Sequence, residues 1–115
     1  MHERPIVAIT MGDPAGIGAE IAVKVLGDPN IYSICKPFII GDLDYVADAV
    51  RFTNSHEVLN KVDGPEDARY EPGTIDVMDL DNVALGEVAY GKVSGKAGHA
   101  AYEYIERGIQ LALAG

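Results

Sequence analysis

The chain has 115 residues, 48% of them hydrophobic, which suffices for one modest core and leaves no room for a second. Its formal charge of -9, with nine scattered lysines and arginines, repels a phosphate backbone and argues against a nucleic-acid partner. A lone cysteine, Cys35, excludes an internal disulfide, and MHERP carries no apolar leader, so we expect a cytoplasmic protein with no membrane association.

In chain order, Ile6, Val7, Ala8, Ile9 and Thr10 form a continuous apolar run, the pattern of a central parallel strand covered on both faces. A turn follows, built from Gly12, Asp13, Pro14, Ala15, Gly16, Ile17 and Gly18, and then a helix with Ile21, Ala22, Val25 and Leu26 on one face and Glu20 four residues before Lys24. Strand, glycine turn and helix in that order have two readings. A helix start presents N–H groups and a partial positive charge that suit a phosphate or carboxylate, yet any βα turn needs glycines simply to turn. The spacing Gly12-x-x-x-Gly16-x-Gly18 does not match the dinucleotide fingerprint G-x-G-x-x-G.

Gly27, Asp28, Pro29 and Asn30 read as a helix stop. Pro37, Phe38, Ile39 and Ile40 form a second strand closed by Gly41, and Asp42 can cap a helix in which Leu43, Val46, Ala47 and Val50 share a face. Two β-turn-α units in succession predict a parallel sheet with right-handed crossovers. Residues 56–62 suit a short strand and residues 64–73 a charged loop or short helix. Residues 75–80, IDVMDL, alternate apolar and acidic side chains, as an edge or half-exposed strand does. A long glycine-rich connection over residues 81–96 leads to a last helix from Ala97 to Ala114. Ala101, Ile105, Ile109 and Ala112 share one of its faces, Glu103 can pair with Arg107, Gly108 allows close packing and Gly115 serves as the cap. In an α/β alternation such a helix hands over to another strand, so we expect a longer parent protein.

Little of this carries chemistry by spacing. Gly86, Gly91 and Lys92 satisfy G-x-x-x-x-G-K, but Val93 stands where a magnesium-holding Ser or Thr is needed. His2, His56 and His99 have no metal-ligand spacing, and His99 reads as a surface or packing residue. Tyr90, Tyr102 and Tyr104 suit packing; the pairs Asp42/Asp44 and Asp79/Asp81 suit capping and solvation at strand ends. No nucleophile–base pair emerges, so neither a catalytic set nor a metal-ligand set is assigned within the chain.

The segments IVAITMGDPAGIGAEIAVKVL, FIIGD, RYEPG, IDVMDL and GKVSGKAGHAAYEYIERGIQLALAG together resemble the N-terminal part of the 4-hydroxythreonine-4-phosphate dehydrogenase family, along essentially the whole chain. The resemblance implies an α/β fold, part of a three-layer sandwich of the isocitrate and isopropylmalate dehydrogenase type, with a mainly parallel sheet and flanking helices. Residues 1–115 would then form one α/β domain, an N-terminal fragment of a two-domain homodimer of about 330 residues per subunit. It further implies NAD and a divalent metal (Zn, Mg or Co) as cofactors, and oxidative decarboxylation of 4-phosphohydroxy-L-threonine in pyridoxal phosphate biosynthesis. The family's metal-binding histidines and main phosphate contacts lie beyond this stretch. Only Gly12, Asp13, Pro14, Gly16 and Gly18 carry over, as a loop lining the cleft near cofactor or substrate. RYEPG and GKVSGKAG are at least as similar to a related branch acting on D-threonate or D-erythronate 4-phosphate and giving dihydroxyacetone phosphate. Two readings of other kinds stand beside these: a non-catalytic, self-associating fragment, and a small phosphate- or nucleotide-binding domain using the Gly12 to Gly18 turn alone.

Overall fold

The computed structural model describes residues 4–12, 16–81 and 95–114. Within them β1 (Ile6–Thr10), β2 (Lys36–Gly41), β3 (Val58–Val62) and β4 (Thr74–Asp79) form one parallel sheet in the order β1-β2-β4-β3. Between and after the strands lie α1 (Gly18–Leu26), α2 (Pro29–Ile34), α3 (Leu43–Phe52) and α4 (Gly95–Ala114). Phe38 and Ile40 point to one face of β2 and Ile39 to the other, and all three are buried, so the sheet is the middle of three layers. α4 covers the face of Thr10 and Ile40, where Gly108 lets the helix come close to both side chains. α1 and α3 pack against each other, and Val23, Leu26, Tyr45, Val46 and Ala49 from them enter the core. The α/β class with a parallel sheet and flanking helices is the one expected.

Strand order departs from expectation in two places. Among the described residues β1 is an edge strand, paired with β2, and Ile6 and Val7 are 54% and 39% exposed. A β-branched run marks a strand able to be buried on both faces; it says nothing about which strands lie beside it. β4, expected at an edge or half exposed, is internal and mostly buried. Its Asp76 is fully buried because its carboxylate accepts hydrogen bonds from Asn60 Nδ2 at 2.9 Å, Arg69 N at 3.1 Å and Tyr70 N at 2.9 Å. An acidic residue in alternation looked solvent-facing, and a turn folded over the sheet supplies the donors that water would have supplied.

The helices are rotated from the faces the sequence suggests. α1 buries Ala22, Val23 and Leu26 and leaves Ile21 and Val25 exposed; α3 buries Tyr45, Val46, Asp48 and Ala49. α4 buries Ala97, Ala100 and Tyr104 instead of the expected Ile105 and Ile109, which are half exposed. Glu103 pairs with His99 at 3.1 Å, not with Arg107. The expected stop at Gly27 is followed at once by α2, whose first turn is capped by Asp28 accepting the Asn30 N–H at 3.0 Å with Pro29 at the first helical position. β3 matches the expected short strand, and a 3-10 turn at Pro65–Asp67 lies in the expected loop. The connection holding Gly86 to Val93 and Tyr90, together with His2 and Gly115, lies outside the described residues.

Candidate functional site at the carboxyl edge of the sheet

The carboxyl ends of β1, β2 and β4 are stitched side by side: Met11 N–H donates to Ile40 O and Leu80 N–H to Gly41 O, each at 2.9 Å. Ligands of open parallel α/β sheets bind outside this edge. Gly12 leaves β1 with φ +79°, a left-handed conformation that favours glycine. Gly16 is exposed, and Gly18 opens α1 so close to Met11 that a Cβ there would collide with the Met11 carbonyl oxygen. Ile17 stands at the N-cap of α1 and has no side-chain acceptor to offer the first-turn N–H groups, which leaves the positive end of the helix facing the turn. The structure thus gathers Gly12, Gly16 and Gly18 at one end of the sheet, while Asp13 and Pro14 lie outside the described residues.

Beside this turn Asp42, Asp79 and Asp81 bring carboxylate oxygens within 4.8 Å of one another. The first two are engaged in holding the fold. Asp79 Oδ1 accepts the Leu43 N–H and the Asp81 N–H, both at 3.0 Å, and so caps α3 from the neighbouring strand. Lys61 Nζ stands 3.9 Å from Asp79 Oδ2. Asp42, which the sequence suggested as that cap, is 2% exposed and accepts the Tyr104 hydroxyl from α4. Burial first, and then the bond to Asp42, hold the Tyr104 hydroxyl protonated well beyond the usual tyrosine range. Asp79 Oδ1 and Asp42 Oδ2 are thus engaged by N–H and O–H donors, while the three carboxylates together keep a spacing that a metal ion could use. Sequence spacing had no signal for the Asp42–Tyr104 pair, because 62 residues separate its members.

His99 is exposed at the start of α4, its ring 6.4 Å from that of Tyr102 and its Nε2 bonded to Glu103, in keeping with a surface residue. A groove of about 830 Å³ lies elsewhere, at the amino edge, between the end of α4 and the turn at Pro65 and Glu66; Ile6, Ala8, Phe38 and Leu111 make it largely apolar. Arg4 and Glu66 bring charge to its lining, and it lies at the end of the sheet opposite the glycine turn. Among the described residues no helix is long and apolar enough to cross a membrane.

No family profile matches the chain. Individual proteins do. A Symbiobacterium thermophilum protein provisionally named D-threonate 4-phosphate dehydrogenase is 47% identical over 115 residues, covering 100% of this chain and 34% of its own. A Halalkalibacterium halodurans protein of the same name is 41% identical over 112 residues, 97% of this chain and 34% of its own. The crystal structure of a 4-hydroxythreonine-4-phosphate dehydrogenase from Burkholderia phymatum superposes with a TM-score of 0.93 at 38% identity, over 98% of this chain and 34% of that one. The chain resembles the 4-hydroxythreonine-4-phosphate dehydrogenase family, its D-threonate branch included. It does so along its whole length while spanning about a third of the length of these relatives. The family's members named here are dehydrogenases of phosphorylated hydroxy acids, and the parallel sheet with flanking helices is theirs.

Proposed function

We propose that the chain is the glycine-turn portion of an NAD-dependent, divalent-metal-requiring decarboxylating dehydrogenase acting on D-threonate 4-phosphate or its D-erythronate epimer. The observation that carries this choice of substrate is the 47% identity, end to end, with the Symbiobacterium protein. Acceptance of 4-phosphohydroxy-L-threonine, the pyridoxal phosphate precursor, is the second reading, favoured by the 0.93 TM-score to the Burkholderia enzyme at the lower identity of 38%.

The chemistry of the substrate sets the order of events. Hydride leaves the secondary alcohol carbon β to the carboxylate and the hydroxyl proton leaves with it. The resulting β-keto acid loses carbon dioxide, and protonation of the remaining enediolate gives dihydroxyacetone phosphate. NAD supplies the hydride acceptor. In this reading Gly12, Asp13, Pro14, Gly16 and Gly18 line the cleft. The start of α1 faces a phosphate of cofactor or substrate there, and glycines keep side chains out of its way. No step is assigned to Asp42, Asp79 or Asp81. The parent enzyme works as a homodimer in the cytoplasm.

The test is an assay of the full-length gene product with NAD, a divalent ion and each phosphorylated substrate in turn. NADH formation with the four-carbon sugar-acid phosphate, and dihydroxyacetone phosphate as its product, is the expected result. NADH only with the phosphohydroxythreonine selects the second reading, and none with any substrate refutes both.

A further inference from the structure

The glycine turn follows β1, and no described atom lies within 4 Å of where a Cβ on Gly12 would stand. Met11, one residue earlier, is 1% exposed and touches both the end of β2 and the start of α1. Its N–H bonds to Ile40 O at the end of β2. Its side chain lies across Gly41, where an added Cβ would stand 2.7 Å from Met11 Cβ and 2.9 Å from its Sδ. Its carbonyl oxygen fills the space that a Cβ on Gly18 would need. Neither Gly18 nor Gly41 has a left-handed backbone, so both are required small by their neighbour and not by their dihedral angles.

We propose that Met11 is the positioning residue of the glycine turn: wedged between the end of β2 and the start of α1, it fixes where Gly12, Gly16 and Gly18 stand at the carboxyl edge. An unbranched thioether suits this irregular gap, and leucine has nearly the same volume. The wedge acts only through the turn. Its bearing on affinity rests on the reading of that turn as a ligand rim, whereas its bearing on geometry does not.

The experiment compares the 115-residue chain with Met11→Leu, Met11→Ala, Gly41→Ala and the double variant Met11→Ala/Gly41→Ala. Backbone amide resonances are recorded without ligand and during titration with NAD. Without ligand, Met11→Ala is expected to move the Gly12, Gly16 and Gly18 signals while Ile75 and Val77 of β4 stay in place. Met11→Leu keeps the wild-type positions, and the double variant moves back toward them because the new methyl at position 41 enters the vacated space. Should Met11→Ala fail to fold, Gly41→Ala, which pushes the wedge outward, is expected to move the same three glycines. Glycine signals unchanged in a folded Met11→Ala or Gly41→Ala chain overturn the proposal. With NAD, Met11→Ala is expected to bind about tenfold more weakly and Met11→Leu as the wild type, since small displacements of positioning groups are costly. A wild-type chain that ignores NAD takes the cofactor out of the ligand-rim reading and leaves the substrate phosphate, and the ligand-free spectra decide the wedge by themselves.

Discussion

Asp76 is a carboxylate fully removed from water, satisfied by three donors, two of them backbone N–H groups of the turn that crosses the sheet. Asp76→Ala strands those donors and is expected to cost about 3 kcal/mol in a denaturant titration. Asp76→Asn, which keeps one acceptor oxygen, should cost less. Tyr32 gives the alkaline limit. Burial first, then the nearby Asp76, Glu57 and Cys35, push its hydroxyl up to about 12, and it donates to Thr74 O at 3.0 Å. Because the folded value lies above the unfolded one of about 10, the stabilisation is complete below pH 10 and drains away as pH rises toward 12. Stability measured across that window should fall, and Tyr32→Phe should flatten the fall. At this scale the sequence was readable where backbone conformation decides, as at Gly12, and unreadable where a distant turn does. Nothing within IDVMDL tells that Asn60 and residues 69–70 will come to meet its first acidic residue.

α4 tests which face of a helix is core. The sequence offered Ile105 and Ile109 by period and bulk; the fold buries Ala97, Ala100 and Tyr104 and leaves the isoleucines half exposed. Small residues let the helix approach the sheet, and one tyrosine long enough to reach Asp42 anchors it, a preference that a count of apolar side chains misses. Tyr104→Phe is therefore expected to destabilise by about 2 kcal/mol, through the carboxylate it leaves short of a donor, while Ile105→Gln should stay within about 0.5 kcal/mol. Thermal or chemical unfolding of the two variants checks the order, and a reversed order would return the isoleucine stripe to the core. Up to Phe52, β1, α1, β2 and α3 follow the expected alternation and α2 is an addition to it, because glycine, proline and aspartate punctuate that half of the chain.

For the whole molecule, the parallel sheet was legible from two successive β-turn-α units, and its strand order was not, since each crossover can land on either side of the strand it left. The outcome leaves β1 at the margin, with Ile6 and Val7 exposed, and a second apolar stripe along α4 formed by Tyr102, Ile105, Ile109 and Leu113. Surfaces of this kind favour association. Sedimentation of the 115-residue chain is expected to show concentration-dependent oligomers, and Ile105→Glu with Ile109→Glu to shift them toward monomer; a monodisperse wild-type monomer would contradict this. The marginal place of β1 also bears on how the neighbourhood of Gly12 is populated. A strand laid along its open side would sit about 5 Å away. One terminus of that newcomer would arrive next to the bend, so groups from a sequence-distant stretch could reach Gly12 by simple ladder pairing, with no excursion over the top of the sheet.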